Sequence, residues 1–122
     1  MDDKTYNGWT NYETWATALW LDNDATSSAF WSAEAWECWK AAPTSSHVQK
    51  LGFDRERAAA LDLAERLNEA IHEQCPDLGA CLYADLLGAA LAEVQWFEIA
   101  SHHIDDLQDE TEEVRKGESN HE

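Results

Sequence analysis

His102 and His103 stand just ahead of Asp105 and Asp106, and imidazole with carboxylate is a donor set suited to zinc and related divalent ions. Neighbouring residues on a helix point about 100° apart, however, so adjacent histidines rarely converge on one ion. The expectation is His103 on an apolar face and His102 in solvent. His72 and Cys75, with Glu73 between them, have the residue types of a thiolate–imidazole pair. Nucleophilic catalysis also needs a group to orient the imidazole and an oxyanion site, and the sequence offers neither. Carboxylates in close sequence pairs are common along the chain, but nothing separates an acid from a base among them. These residues therefore predict no catalytic group, no metal and no cofactor: a protein that is not an enzyme.

What remains is charge. The 122 residues hold 25 acids and 8 bases, a formal net charge of -17. Residues 77–122 carry twelve of the acids and two of the bases. Glu98, Asp105, Asp106, Asp109, Glu110, Glu112 and Glu113 form the densest run. On a helix, carboxylates four residues apart stand about 6 Å apart along the axis, close to the spacing of successive phosphates on a nucleic-acid strand. A rigid acidic helix can therefore compete for a surface built to hold phosphates, which is the physical logic of a DNA mimic. The bland alternative is that the acids only solvate one face. In either case the field repels nucleic acid and anionic membranes, and favours a basic protein surface as partner.

A second candidate surface is aromatic. Seven tryptophans are many for this length, and large rings dominate both cores and interfaces. Trp15, Trp20, Trp31, Trp39 and Trp96 fall on apolar stripes and are expected in the core. Trp9 and Trp36 lie off those stripes. Together with Asn11, Tyr12 and the turn Asp22-Asn23-Asp24, they make an alternative partner-binding set. Cys38, Cys75 and Cys81 have no zinc or thioredoxin spacing and read as reduced thiols. No apolar run approaches the length of a membrane span, and no signal-peptide pattern opens the chain, so the expected location is the cytoplasm of a host cell.

The elements that carry these residues read as helices throughout. Thr10 and Glu13 suggest a capping box for a first helix, with Tyr12, Trp15, Ala16, Leu19 and Trp20 as its buried stripe. Asp24 caps a second helix over about 25–41, along which Ser28, Trp31, Ala35, Cys38, Trp39 and Ala42 align. Pro43 breaks the pattern, and a loop is expected as far as Gly52. Asp54 caps a third long helix over about 55–74, with Leu63, Ala64 and Leu67 on its apolar face. A fourth is expected from about Ala80, and a fifth from about Gln95 with Ile99, Ala100, His103 and Ile104 inward. The expectation is an all-α, single-domain bundle of four or five helices: residues 1–110 as the helical domain, and 111–122 as an acidic, partly disordered tail.

The string Tyr6-Asn7-Gly8-Trp9-Thr10-Asn11-Tyr12-Glu13-Thr14-Trp15, continuing through Leu19-Trp20-Leu21-Asp22-Asn23-Asp24, resembles the opening motif of a family of small uncharacterised proteins encoded by bacteriophages, plasmids and other mobile elements. Asp85-Leu86-Leu87 and Val94-Gln95-Trp96-Phe97-Glu98-Ile99-Ala100 are similar to that family's second motif, with Gln95 where asparagine or aspartate is expected. The two motifs cover about a third of the chain. The resemblance implies no site residue. By analogy of context it implies an anti-defence role, because mobile elements carry small acidic inhibitors of restriction and CRISPR systems, some of them DNA mimics.

Overall fold

Short polar side chains begin the helices by taking up amides that have no partner in the first turn. In the computed structural model, which describes residues 6–119 and side chains as far as residue 108, Asn11 caps α1 (Tyr12–Asn23) by accepting from the Thr14 amide at 2.9 Å. Asp24 caps α2 (Ala25–Ala41) and also accepts from the Ser27 hydroxyl. Asp54 caps α4 (Arg55–Gln74) by accepting from the Arg57 amide at 2.8 Å. The first of these corrects the Thr10–Glu13 box: the Thr10 amide donates to Glu98 Oε1, 88 positions away, at 3.2 Å.

Pro43 ends α2 without producing a plain loop. Ala42–Thr44 forms a 3₁₀ turn, and Ser46–Gln49 a single helical turn, α3. Pro76 stops α4, since the residue before a proline is driven to extended backbone, as Cys75 is (φ -64°, ψ 130°). Then come α5 (Leu82–Glu93) and α6 (Trp96–Ser119). The described residues therefore hold five helices of 12 residues or more, with α3 between them, and no strand. The segment from 111, expected as a tail, continues α6 in its backbone as far as Ser119. Ahead of α1, the Asn7-Gly8 dipeptide takes positive φ at both positions (48° and 89°), the conformation of a tight two-residue turn, and lets Tyr6 and Trp9 exchange backbone hydrogen bonds.

The core is a close-packed junction of α4 with α6 and α2. Ala58, Ala59, Ala60, Leu63 and Leu67 of α4 meet Ile99, Ala100 and Ile104 of α6 and Trp31, Ala35 and Cys38 of α2, all buried. Alanine at so many contact positions brings the backbones near one another, so leucine and isoleucine fill the centre in place of the expected tryptophans. Of the seven, only Trp31 is fully buried, at 5% exposure. Trp9, Trp39 and Trp96 pack on the rim.

Two elements depart from the expected packing. On α1 the buried positions are Thr14, Ala18 and Leu21; of the expected stripe, Trp15 and Ala16 are half-buried, and Tyr12, Leu19 and Trp20 are exposed, Trp20 by 77%. The apolar residues of α1 are spread around its axis, and contact with α2 and α6 selects the face carrying the small residues. On α5 no side chain is fully buried.

Candidate functional site

The two sequence motifs come together at one junction. The fully buried Thr14 accepts at Oγ1 from the Gln95 amide, 2.9 Å away, at the start of α6. Asn11, besides capping α1, donates from Nδ2 to the Glu93 carbonyl at 2.8 Å. Thr10 meets Glu98, and the Trp9 ring stacks on His102 at 4.2 Å between centroids. The motif residues Asn11, Trp9 and Glu98 thus clasp the N-terminal helix to the α5–α6 corner. Trp9, Asn11 and Glu98, drawn from two candidate surfaces, therefore each make a contact inside the chain, Glu98 through one of its two carboxylate oxygens.

Other members of the aromatic set remain outward. Tyr12 is exposed and contacts Tyr6 and Trp15 at 5.3 and 5.5 Å between centroids. Asp22 and Asn23 are exposed, whereas Asp24 is engaged as the α2 cap. Trp36 is exposed on α2 with the Lys40 ammonium 5.7 Å from its ring, and is far along the helix from the α1 turn. Trp20, assigned to the core from its stripe, is instead the most exposed large apolar side chain among the described residues. The signal that could have found it was Thr14-Ala18-Leu21, a second register of smaller residues on the same helix.

Among the acids, Asp105 and Asp106 are exposed and have no ion-pair partner among the described residues. They open on different sides of α6. Asp105 borders a hollow of about 250 Å³ with Asp54, Glu56, Arg57, Phe97 and Ser101. Asp106 borders another of about 480 Å³ with Asp22, Ser28, Ser32 and His103. Asp22 and Asp106, which the sequence assigns to different candidate surfaces, therefore share one hollow. Burial holds the His103 imidazole below its usual pKa, against the opposing pull of Asp22 and Asp106. Asp109, Glu110, Glu112 and Glu113 lie on the α6 backbone, and their side chains fall outside the described residues.

Among the described residues, three arginines are engaged within the chain. Arg66 donates to Glu34 at 2.8 Å, which raises its pKa further. Arg55 lies over the Trp39 ring and donates to the Trp39 carbonyl, and Arg57 lies over Phe53. Cys38, packed in the core, has its thiol pushed up to about 11 by burial. One donor cluster went unnoticed in the sequence: His47, Asp62 and Glu65, whose ligand atoms lie within 4.8 Å of one another, with His47 Nε2 3.7 Å from Asp62 Oδ1. His102 and His103 take separate environments, one stacked on Trp9 and one half-buried.

No helix among the described residues is long and apolar enough to cross a membrane. Residues 2–117 match a family described as of unknown function (DUF7249), and the chain belongs to that family. No curated protein and no solved structure matches it.

Proposed function

We propose that this family member is a non-catalytic acidic binder, encoded by a mobile element and acting in the host cytoplasm. It occupies the basic, nucleic-acid-handling surface of a defence protein of the restriction or CRISPR kind. The observation that carries the reading is the continuity of α6, which runs unbroken from Trp96 to Ser119, well past Ile104, the last fully buried side chain among the described residues. Its 24 residues extend about 36 Å. Past Ile104 the acids follow at helical intervals, so their backbone positions have the regular spacing that competition with a phosphate backbone requires. Residues 77–122 hold twelve acids against two bases, so that charge is little offset.

The test is capture of partners from host cytosol by the intact chain at low and high salt, beside a variant with Asp105, Asp106 and Asp109 changed to Asn and Glu110 to Gln. The expected result is retention of a basic nucleic-acid-binding protein that weakens with salt, competes with duplex DNA and is lost in the variant. Undiminished capture by the variant overturns the proposal. A second reading rests on the exposure of both Tyr12 and Trp20 on α1: an aromatic protein-interaction surface, with the acids only solvating. Under that reading Trp20→Ser abolishes capture and the acid-neutralised variant does not.

A further inference from the structure

We propose that His47, Asp62 and Glu65 form a binding site for one divalent transition-metal ion of the zinc class, which fastens the turn after Pro43 to α4. Its residues belong to α3 and α4, so it stands independently of the acidic α6 and of the aromatic face of α1. Asp62 and Glu65 are three residues apart on α4 and share one helical face. His47 comes from α3, which follows the 3₁₀ turn Ala42–Thr44 and packs against α4, with the Phe53 amide donating to the His47 carbonyl at 3.1 Å. One ligand atom from each of the three side chains lies within 4.8 Å of the others.

The imidazole is what points to an ion. Both of its ring nitrogens are shut off from solvent, and neither has a hydrogen-bond partner. Buried polar groups are paired in the great majority of cases, because the water lost on burial has to be replaced. Asp62 Oδ1, 3.7 Å from His47 Nε2, is too far away for a direct hydrogen bond. The separation suits two donors that share an ion. Zinc bonds of about 2.0–2.2 Å set tetrahedral donors roughly 3.3–3.6 Å apart. Glu65 is exposed, and its carboxylate has no partner among the described residues, so rotation of this flexible side chain brings in the third donor. A bound ion gives Nε2 its partner and fixes the remaining imidazole proton on Nδ1.

Charge and donor type agree with this. Two carboxylates held so close are stabilised by positive charge between them, and Arg66, one residue beyond Glu65, donates instead to Glu34 at 2.8 Å. A divalent cation with two carboxylates and a neutral imidazole makes an uncharged site, in a chain whose net charge of -17 gathers cations. The imidazole selects the ion. Magnesium and calcium take oxygen donors, whereas zinc and its neighbours in the first transition row accept nitrogen together with oxygen. Three protein donors leave the fourth position of a tetrahedral ion to water.

Calorimetric titration of the metal-free full chain with zinc ion tests this, with magnesium at about 1 mM to fill sites made of oxygen alone. The expected result is one zinc ion per chain with a Kd below about 10 µM, weakened at least tenfold in both His47→Gln and Glu65→Ala. Zinc also slows hydrogen exchange of the Gln49 and Lys50 amides, which close the α3 turn, in the parent and not in Glu65→Ala. Cobalt in place of zinc gives visible bands without a thiolate charge-transfer band, which would place the ion at a cysteine. Glu65 is exposed, so Glu65→Ala keeps the fold, and it decides alone if His47→Gln fails to fold. Weaker or non-stoichiometric zinc binding, a fall of less than tenfold in the deciding variants, unchanged exchange in α3, or a thiolate band overturns the proposal.

Discussion

Thr14→Val tests whether the junction of the two motifs is structural. The substitution conserves shape while removing the only atom of Thr14 that receives the Gln95 amide, at 2.9 Å. A neutral hydrogen bond contributes about 0.5–1.5 kcal/mol net, and a buried donor left without a partner costs about 1–3 kcal/mol. Thr14 is fully buried, but the bond is only part-buried overall, so water reaches the freed amide in part. The valine methyl also sits better in an apolar site than the hydroxyl did. The net destabilisation is therefore about 1–2 kcal/mol, a fall in melting temperature of roughly 4–10 °C for a chain of this size. Thermal and urea unfolding, compared with Thr14→Ser as the variant that keeps the hydroxyl, measure it. If Thr14→Val melts within about 1 °C of the parent, or above it, the assignment of the motif to clasping α1 onto α6 fails.

Tryptophans on opposite faces give a sharper contrast. Trp31→Ala should cost about 3–5 kcal/mol as a core truncation, and Trp20→Ala less than about 0.5 kcal/mol, read by denaturant titration; equal losses would show that α1 buries its aromatic face after all. Because burial holds His103 neutral in the fold while the unfolded chain takes up a proton near pH 6.5, stability is present above that pH and is lost as pH falls toward the lower folded value. His103→Gln should lose less melting temperature than the parent between about pH 7.5 and 5.5, and an identical loss would contradict the linkage. Cys38, with its thiol pushed up to about 11, should resist alkylation at pH 8 until the chain unfolds, whereas the exposed Cys81 reacts at once; mass spectrometry of timed samples separates them.

The sequence carried the helices that have a strong single face. Asp24 and Asp54 were legible as caps because a carboxylate before an alanine-rich run has few other uses. The α4 stripe through Leu63 and Leu67 was legible because its other faces are charged. Capping of α1 was misread at Thr10. Two adjacent residues, Thr10 and Asn11, both suit an N-cap, and the choice between them is made by Glu98 and Glu93 from the far end of the chain.

For the candidate site the division is similar. Net charge and its concentration toward the C-terminus follow from composition and spacing, which need no coordinates. The positions of Trp20 and α5 do not. An apolar residue reads as buried wherever it lies on a stripe, but α1 carries two stripes, and α5 is apolar on more than one face. Local periodicity cannot choose between faces of comparable apolarity. Packing chose the face of α1 with the smaller residues, since Thr14, Ala18 and Leu21 let it sit close to α2 and α6. The five longer helices and the charge they carry thus follow from residue pattern, whereas the short turns after Pro43 do not. Only the packing of distant segments places Asp22 and Asp106 on one hollow, stacks Trp9 on His102 and leaves the outer faces of α1 and α5 exposed, because each depends on which elements meet in space.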